Sequence, residues 1–175
     1  TTVAILCLIK MKKIDIDEKL SSLLEKKIKG EKKDITIKQL LSHCSGFPAH
    51  KEYFKILKDV PVNKRGGVVE TLLLKEPLEY EPETKAIYSD LGFMLLGKII
   101  EKKSGHPLDQ FVKEMVLQPI NLEKNIFFNP LFDSNRIHDN KEFVATENCP
   151  WRKKILTGEV HDDNCYAMGG VTGHS

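Results

Sequence analysis

The sequence has few of the features that mark a nucleic-acid-binding protein. Only three of its 27 basic residues are arginines, and these three lie far apart along the chain. Planar guanidinium groups make the bidentate contacts to phosphate that a lysine ammonium cannot make. The formal net charge is only +2, so the composition argues against a nucleic-acid partner.

Metal-binding and membrane signatures are also scarce. The four cysteines, Cys7, Cys44, Cys149 and Cys165, form no C-x-x-C pair and none of the close spacings of a zinc knuckle. The longest clean apolar run, Val3 to Ile9, falls far short of the roughly 20 residues that a membrane span needs. We therefore predict no metal site and no membrane span, and nothing in the sequence implies an organic cofactor. The cysteines leave the redox compartment open.

What remains is a globular composition. The 175 residues are 41% hydrophobic and 30% charged, which suits one soluble domain with a real core. Hardly any segment alternates as a strand would, and the helical periodicity fades after Pro119. The fold class that we predict is a mainly α-helical chain with long loops, and most of these loops lie in the C-terminal third.

Several helices can be placed from apolar spacing and capping residues. We expect a largely buried helix up to Lys10, a second helix that stops at Gly30, and a third with Thr36 and Gln39 as a capping box and Gly46 as its C-cap. Further helices are predicted over Val68 to Leu74, from Ser89 or Asp90 to Gly105, and from Pro107. Within the helix before Gly105, Gly92 and Gly97 predict the close approach of another element.

One short stretch places polar chemistry beside this apolar helix. Tyr88, Ser89 and Asp90 directly precede the run LGFMLLGKII. A phenol and a carboxylate at the first turn of a buried helix could face a cleft. Alternatively, Tyr88 is a packed tyrosine whose hydroxyl bonds to the backbone, and Asp90 is only a helix cap.

A second polar cluster, HDDN at residues 161–164, looks like a metal or acid–base site. Adjacent carboxylates diverge in most backbone conformations, however, and His161 has no partner at the spacing of a known metal motif. We favour a structural hydrogen-bonding role for the cluster. The alternative is a functional role, in which His161 lies at the edge of a substrate cleft.

Three stretches, in order, carry a family resemblance: ITIKQLLSHCSGFP, YSDLGFMLLGKIIEKKSGHPLDQFVKEMVLQPINLEKNIFF and GEVHDDNCYAMGGVTGHS. Together they resemble the serine β-lactamase and penicillin-binding-protein superfamily, and most of all the class C β-lactamase-like serine hydrolases. The resemblance implies a two-lobed α/β (α+β) fold in which this chain corresponds mainly to the helical lobe. Residues 1–175 would then form a single incomplete domain, with flanking segments of the sheet lobe missing at both ends.

The resemblance also implies a chemistry. The family combines a Ser-x-x-Lys pair, a Tyr-x-Asn or Ser-x-Asn element and a Lys-Thr-Gly-like strand, and only the middle element is present, as Tyr88-Ser89-Asp90. The nucleophilic serine and its lysine are expected before Thr1, so this chain alone should be inactive. Tyr88 would be the general base and acid, and Asp90, which stands where the family usually has asparagine, would position the lysine.

The expected function is that of a serine hydrolase working through an acyl-enzyme, of D,D-carboxypeptidase, β-lactamase or esterase type. Its substrate would be a small molecule or a peptidoglycan peptide, and the family's usual location is periplasmic or extracellular. The alternative is a non-catalytic relative that keeps the fold as a binding or scaffolding module. The oligomeric state is not readable from the sequence.

Overall fold

The computed structural model describes residues 1–24, 28, 30–132 and 143–174. Within them the chain is mainly helical, as predicted, and the only sheet of the described part is one two-stranded hairpin. The α-helices are α1 (Thr2–Lys10), α2 (Leu20–Leu23), α3 (Ile37–Leu41), α4 (Phe54–Leu57), α5 (Val62–Lys75), α6 (Asp90–Ser104), α7 (Leu108–Val112) and α8 (Asp163–Ala167). Short 3-10 turns cover Gly30–Asp34 and Gln118–Ile120, a π-helical turn covers Lys113–Leu117, and the strands are β1 (Ala145–Cys149) and β2 (Lys154–Thr157).

Helix α6 is the centre of the core, because α1, α3, α5 and α7 all pack against it. Its predicted apolar face is confirmed, since five of its side chains are fully buried: Leu91, Leu95, Leu96, Ile99 and Ile100. Ser89 is its N-cap, and Gly105 ends it in the left-handed conformation with φ of 79°. The first turn of α6 is therefore fixed on a rigid element.

The predicted close approach at Gly97 is also confirmed. A Cβ atom at this position would lie 2.7 Å from the backbone nitrogen of Gly173, a distance that real Cβ atoms do not show. At Gly92 the contact is looser, with the Leu40 side chain at 3.5 Å from such an atom. The close packing at Gly97 brings the glycine-rich end of the chain against α6.

Some predicted boundaries were wrong. Helix α2 ends at Leu23 rather than running towards Gly30, because the backbone of Leu24 is already extended, with φ of −110° and ψ of 140°. Residues 25–27 and 29 of the predicted helix lie outside the described residues. The capping box of Thr36 and Gln39 is present, but α3 ends at Leu41, so Gly46 is not its C-cap.

Two further predictions need correction. Helix α5 is longer than the predicted Val68 to Leu74, since it begins directly after Pro61. Helix α1 is buried on one face only, because Ala4, Ile5 and Leu8 are buried while Val3 and Leu6 are about half exposed. The hairpin of β1 and β2 was not predicted. Among the described residues, none of the helices combines the length and the hydropathy that a membrane crossing requires.

Candidate active site

The segment Tyr88-Ser89-Asp90 is fastened to the loop that follows α3. The Ser89 hydroxyl accepts a hydrogen bond from the Gly92 amide at 3.2 Å and donates one to the Pro48 carbonyl at 2.6 Å. The Asp90 amide donates to the Ala49 carbonyl at 2.9 Å. A buried serine thus caps α6 and holds the loop beside it, which places Tyr88 and Asp90 on either side of a fixed point.

His43 supports the same segment from the other side. Its carbonyl accepts from the Ile87 amide at 3.0 Å, and its Nδ1 accepts from the Ser89 amide at 3.1 Å. Burial lowers the pKa of His43, and the charge of Asp90 offsets part of this effect. A ring nitrogen that accepts from an amide must be unprotonated, so both observations describe a neutral imidazole. His43 therefore lies just beyond the end of α3 as a histidine whose ring hydrogen bond is satisfied.

Tyr88 stands out from the chain, with 66% of its surface exposed. Its ring packs against the His43 ring, with centroids 4.8 Å apart, which fixes its direction while leaving the phenol open. Desolvation raises the pKa of Tyr88, and the charge of Asp90, a hydrogen bond with Asp90 and the charge of Asp162 raise it further. The described residues therefore hold Tyr88 in its protonated form.

Asp90 pairs with a histidine that the sequence analysis did not single out. The Nδ1 atom of His50 lies 3.0 Å from Oδ2 of Asp90. The side chain of Asp90 is mostly covered, while that of His50 is 45% exposed. Since a carboxylate only accepts hydrogen bonds, Nδ1 of His50 is the donor.

Of the HDDN cluster, Asp162 and not His161 lies beside His50 and Asp90. His161 is exposed and lies 3.3 Å from the Glu147 carboxylate on β1, so its role at a cleft edge stays a prediction. Asp162 caps α8 by accepting from the Cys165 amide at 2.7 Å. The neighbouring Asp163 turns away to Arg152, as expected for adjacent carboxylates.

A buried histidine fixes the Asp162 carboxylate. Nε2 of His174 lies 2.9 Å from Oδ1 of Asp162, and Nδ1 of His174 lies 2.8 Å from the Thr172 hydroxyl. Burial raises the pKa of Asp162, but the hydrogen bonds from His174 and the Cys165 amide, with the charges of His174 and His50, outweigh it, and the net shift is downward. Asp162 is therefore held as a carboxylate.

Asn164 brings the two halves of the site together. Its buried side chain accepts from the Phe54 amide at 2.9 Å and donates to the Lys51 carbonyl at 2.8 Å. This ties the segment that follows His50 to the first turn of α8. As a result, ligand atoms of His50, Asp90 and Asp162 all lie within 4.8 Å of one another. The structure thus joins Asp90 to two residues that sequence reasoning did not assign to the site.

Comparisons with known proteins identify the family and the fold. The family model described as "Beta-lactamase" matches residues 1–142. A protein of Escherichia coli K12, named "Putative D-alanyl-D-alanine carboxypeptidase", is 36% identical over 158 residues, covering 85% of this chain and 36% of that protein. A protein of the same name from Salmonella gallinarum is 34% identical over 180 residues, covering 93% of this chain and 41% of that protein. The chain therefore spans about two fifths of the length of these relatives.

Solved structures show the same fold. A penicillin-binding protein from Bacillus halodurans has a TM-score of 0.66 at 22% identity, covering 98% of this chain and 51% of that one. A β-lactamase/D-alanine carboxypeptidase from Yersinia pestis, complexed with citrate, has a TM-score of 0.57 at 17% identity, covering 97% and 45%. The predicted fold class, the helical lobe of a β-lactamase-like fold, is confirmed.

Proposed function

Because the chain belongs to the beta-lactamase family, we propose that the protein containing it is a serine hydrolase of the D,D-carboxypeptidase type. It acts on amide or ester substrates through an acyl-enzyme. The nucleophilic serine and its lysine lie outside this chain, which forms one incomplete domain of the longer protein. The observation that carries the proposal is the open phenol of Tyr88, held beside the Asp90 carboxylate at the first turn of α6.

Tyr88 takes the proton of the serine and later returns it to the leaving group. For this step a tyrosine needs a lowered pKa, whereas burial and the two carboxylates of this chain raise it. A cation must therefore come close to the phenol. The lysine of the Ser-x-x-Lys pair is that cation, because an ammonium beside Tyr88 favours the phenolate.

Asp90 positions this lysine and has a second consequence for the substrate. The amide of the usual asparagine both accepts a hydrogen bond and donates one, whereas an ionised carboxylate only accepts. Asp90 can therefore hold the ammonium, but it cannot donate to the carbonyl of a β-lactam or a peptide. This weakens the recognition of both amides, so Asp90 argues against an efficient β-lactamase without by itself separating peptides from esters.

The substrate that we favour is a peptidoglycan peptide, which places the protein outside the cytoplasm. Support for this substrate comes from the carboxypeptidase name of the curated relatives. The hydrolysis itself would involve neither a nucleic acid nor a cofactor.

The test measures acylation by a fluorescent penicillin, and D-alanine release from a D-alanyl-D-alanine peptide, with the complete protein. General acid–base groups contribute roughly 100- to 10,000-fold to a rate, so Tyr88→Phe should slow acylation by about 100-fold or more. The phenylalanine ring keeps the packing on His43. The matched control is Tyr166→Phe, because the Tyr166 ring packs against Trp151 and the Arg152 guanidinium, and a phenylalanine ring keeps both contacts.

Acylation of Tyr88→Phe within a fewfold of the wild-type rate would remove Tyr88 from the mechanism. One observation favours the alternative, a non-catalytic binding module: the chain's own carboxylates hold Tyr88 protonated. A folded complete protein that is neither acylated by penicillin nor able to turn over peptides or esters would establish that alternative.

A further inference from the structure

Three side chains that could coordinate a metal meet beside Tyr88, although the sequence predicts no metal site. His50 comes from the loop after α3, Asp90 from the first turn of α6, and Asp162 from the N-cap of α8. Their ligand atoms lie within 4.8 Å of one another. No pair among them is close in sequence, so the fold alone assembles the cluster.

The cluster would have to contract to hold an ion, because its ligand atoms are up to 4.8 Å apart. Zinc binds imidazole nitrogen and carboxylate oxygen at about 2.0–2.2 Å, so tetrahedral ligand atoms stand about 3.4 Å apart. The His50 and Asp90 atoms are already 3.0 Å apart. His50 is partly exposed, so its ring can turn, and the ion would replace the proton that it now shares with Asp90.

Asp162 has the surroundings of a positioned ligand. Ligating carboxylates are themselves hydrogen-bonded by outer groups, which fix their orientation. His174, whose side chain is only 1% exposed, and the Cys165 amide both contact one oxygen of Asp162, Oδ1. A helix cap requires only the amide contact, so the buried histidine is an additional constraint on this carboxylate.

The charge balance of the cluster also favours a cation. Within the described ranges, the charged partners of Asp90 and Asp162 are histidines only, and neither carboxylate pairs with a lysine or an arginine. Imidazole and carboxylate ligands together suit zinc and the related divalent transition metals, whereas magnesium and calcium prefer oxygen ligands alone.

We propose that His50, Asp90 and Asp162 bind a divalent transition-metal ion of the zinc class, and that the bound ion inhibits the hydrolase. Binding follows from the cluster itself. The inhibition rests on the proposed function, because an ion on Asp90 competes with the lysine that this carboxylate would position. The ion is therefore a regulator or an inhibitor of the site and takes no part in the hydrolysis.

The experiment titrates the complete, chelator-treated protein with Co²⁺, followed by visible absorption, and with Zn²⁺, followed by calorimetry. Two variants remove ligands, His50→Ala and Asp162→Asn, and the asparagine preserves the cap of α8 because Asn and Asp cap equally well. His106→Ala is the control, since His106 is exposed in the turn between α6 and α7. Circular dichroism spectra establish that each variant is folded.

We expect one equivalent of metal to bind to the wild type. Loss of an outer-shell partner alone costs about 10- to 100-fold in metal affinity, so each ligand variant should lose at least about tenfold, while His106→Ala stays within about twofold. Absence of binding, or equal binding by the wild type and both ligand variants, would overturn the proposal and leave a histidine–aspartate ion pair only.

The same titration separates the two proposals. Metal binding by a protein without hydrolase activity would sustain the site and refute the hydrolase. Penicillin acylation without metal binding would support the hydrolase and refute the metal site. Where both are present, Zn²⁺ should slow acylation of the wild type, and the concentration for half inhibition should rise about tenfold or more in Asp162→Asn; acylation that is indifferent to bound zinc would contradict the inhibitory role.

Discussion

Replacement of Ser89 by alanine should destabilise the protein by much more than its small change in volume suggests. The side chain is buried, and its hydroxyl makes two hydrogen bonds, one from the Gly92 amide and one to the Pro48 carbonyl. Loss of a serine N-cap costs about 1 kcal/mol. A buried carbonyl left without its donor costs about 1–3 kcal/mol, so we expect a loss of about 2–4 kcal/mol.

The assay is urea denaturation of the complete protein, followed by circular dichroism. Ser89→Gly separates the two contributions, because glycine caps a helix almost as well as serine but cannot donate to Pro48. Its loss should therefore be about 1–3 kcal/mol. The control is Ser21→Ala, at an exposed position of α2, which should stay within about 0.5 kcal/mol of the wild type.

Two outcomes would refute this reasoning. If Ser89→Ala also stays within about 0.5 kcal/mol of the wild type, Ser89 does not hold the first turn of α6. If Ser89→Gly matches the wild type while Ser89→Ala does not, the bond to Pro48 contributes nothing, and the stabilising effect of the Ser89 side chain is the helix cap alone.

Two further changes test the site and its support. Asp90→Asn restores an amide that can donate to a substrate carbonyl, so acylation of the complete protein by penicillin should become several times faster; an unchanged acylation rate would contradict the role given to Asp90. Gly97→Ala places a methyl group where the Gly173 backbone lies, so it should lower the free energy of unfolding by about 1–3 kcal/mol in urea denaturation. Gly67→Ala, where nothing lies within 4 Å of the added atom, is the matched control and should not destabilise.

The features predicted correctly are those encoded by neighbouring residues. The capping box of Thr36 and Gln39, the cap at Ser89 and the stop at Gly105 each depend on groups within one or two turns, so the local sequence was sufficient. Helix α2 was predicted too long because the apolar spacing of its leucines does not reveal that the backbone becomes extended at Leu24.

The site was only half predictable for the same reason. Tyr88 and Asp90 could be identified because they are two residues apart in a recognisable motif. His50 lies 40 residues before Asp90, and the bond that sets their relation runs between backbone atoms of Ala49 and Asp90. The sequence around His174 shows only that it follows a glycine-rich stretch. Its contact with Asp162 and its burial depend on the folded structure, so its place in the site could not be predicted.

The two carboxylates explain why one cation would activate this site and another would block it. Both raise the pKa of Tyr88, so the phenol can act as a base only when a positive charge stands near it. The ammonium that we propose for this role touches Asp90 through hydrogen bonds and can share that carboxylate with Tyr88. A metal ion held by His50, Asp90 and Asp162 instead takes Asp90 as a direct ligand and withdraws it from the lysine. The arrangement that makes the tyrosine dependent on a cation therefore also makes the hydrolase sensitive to zinc.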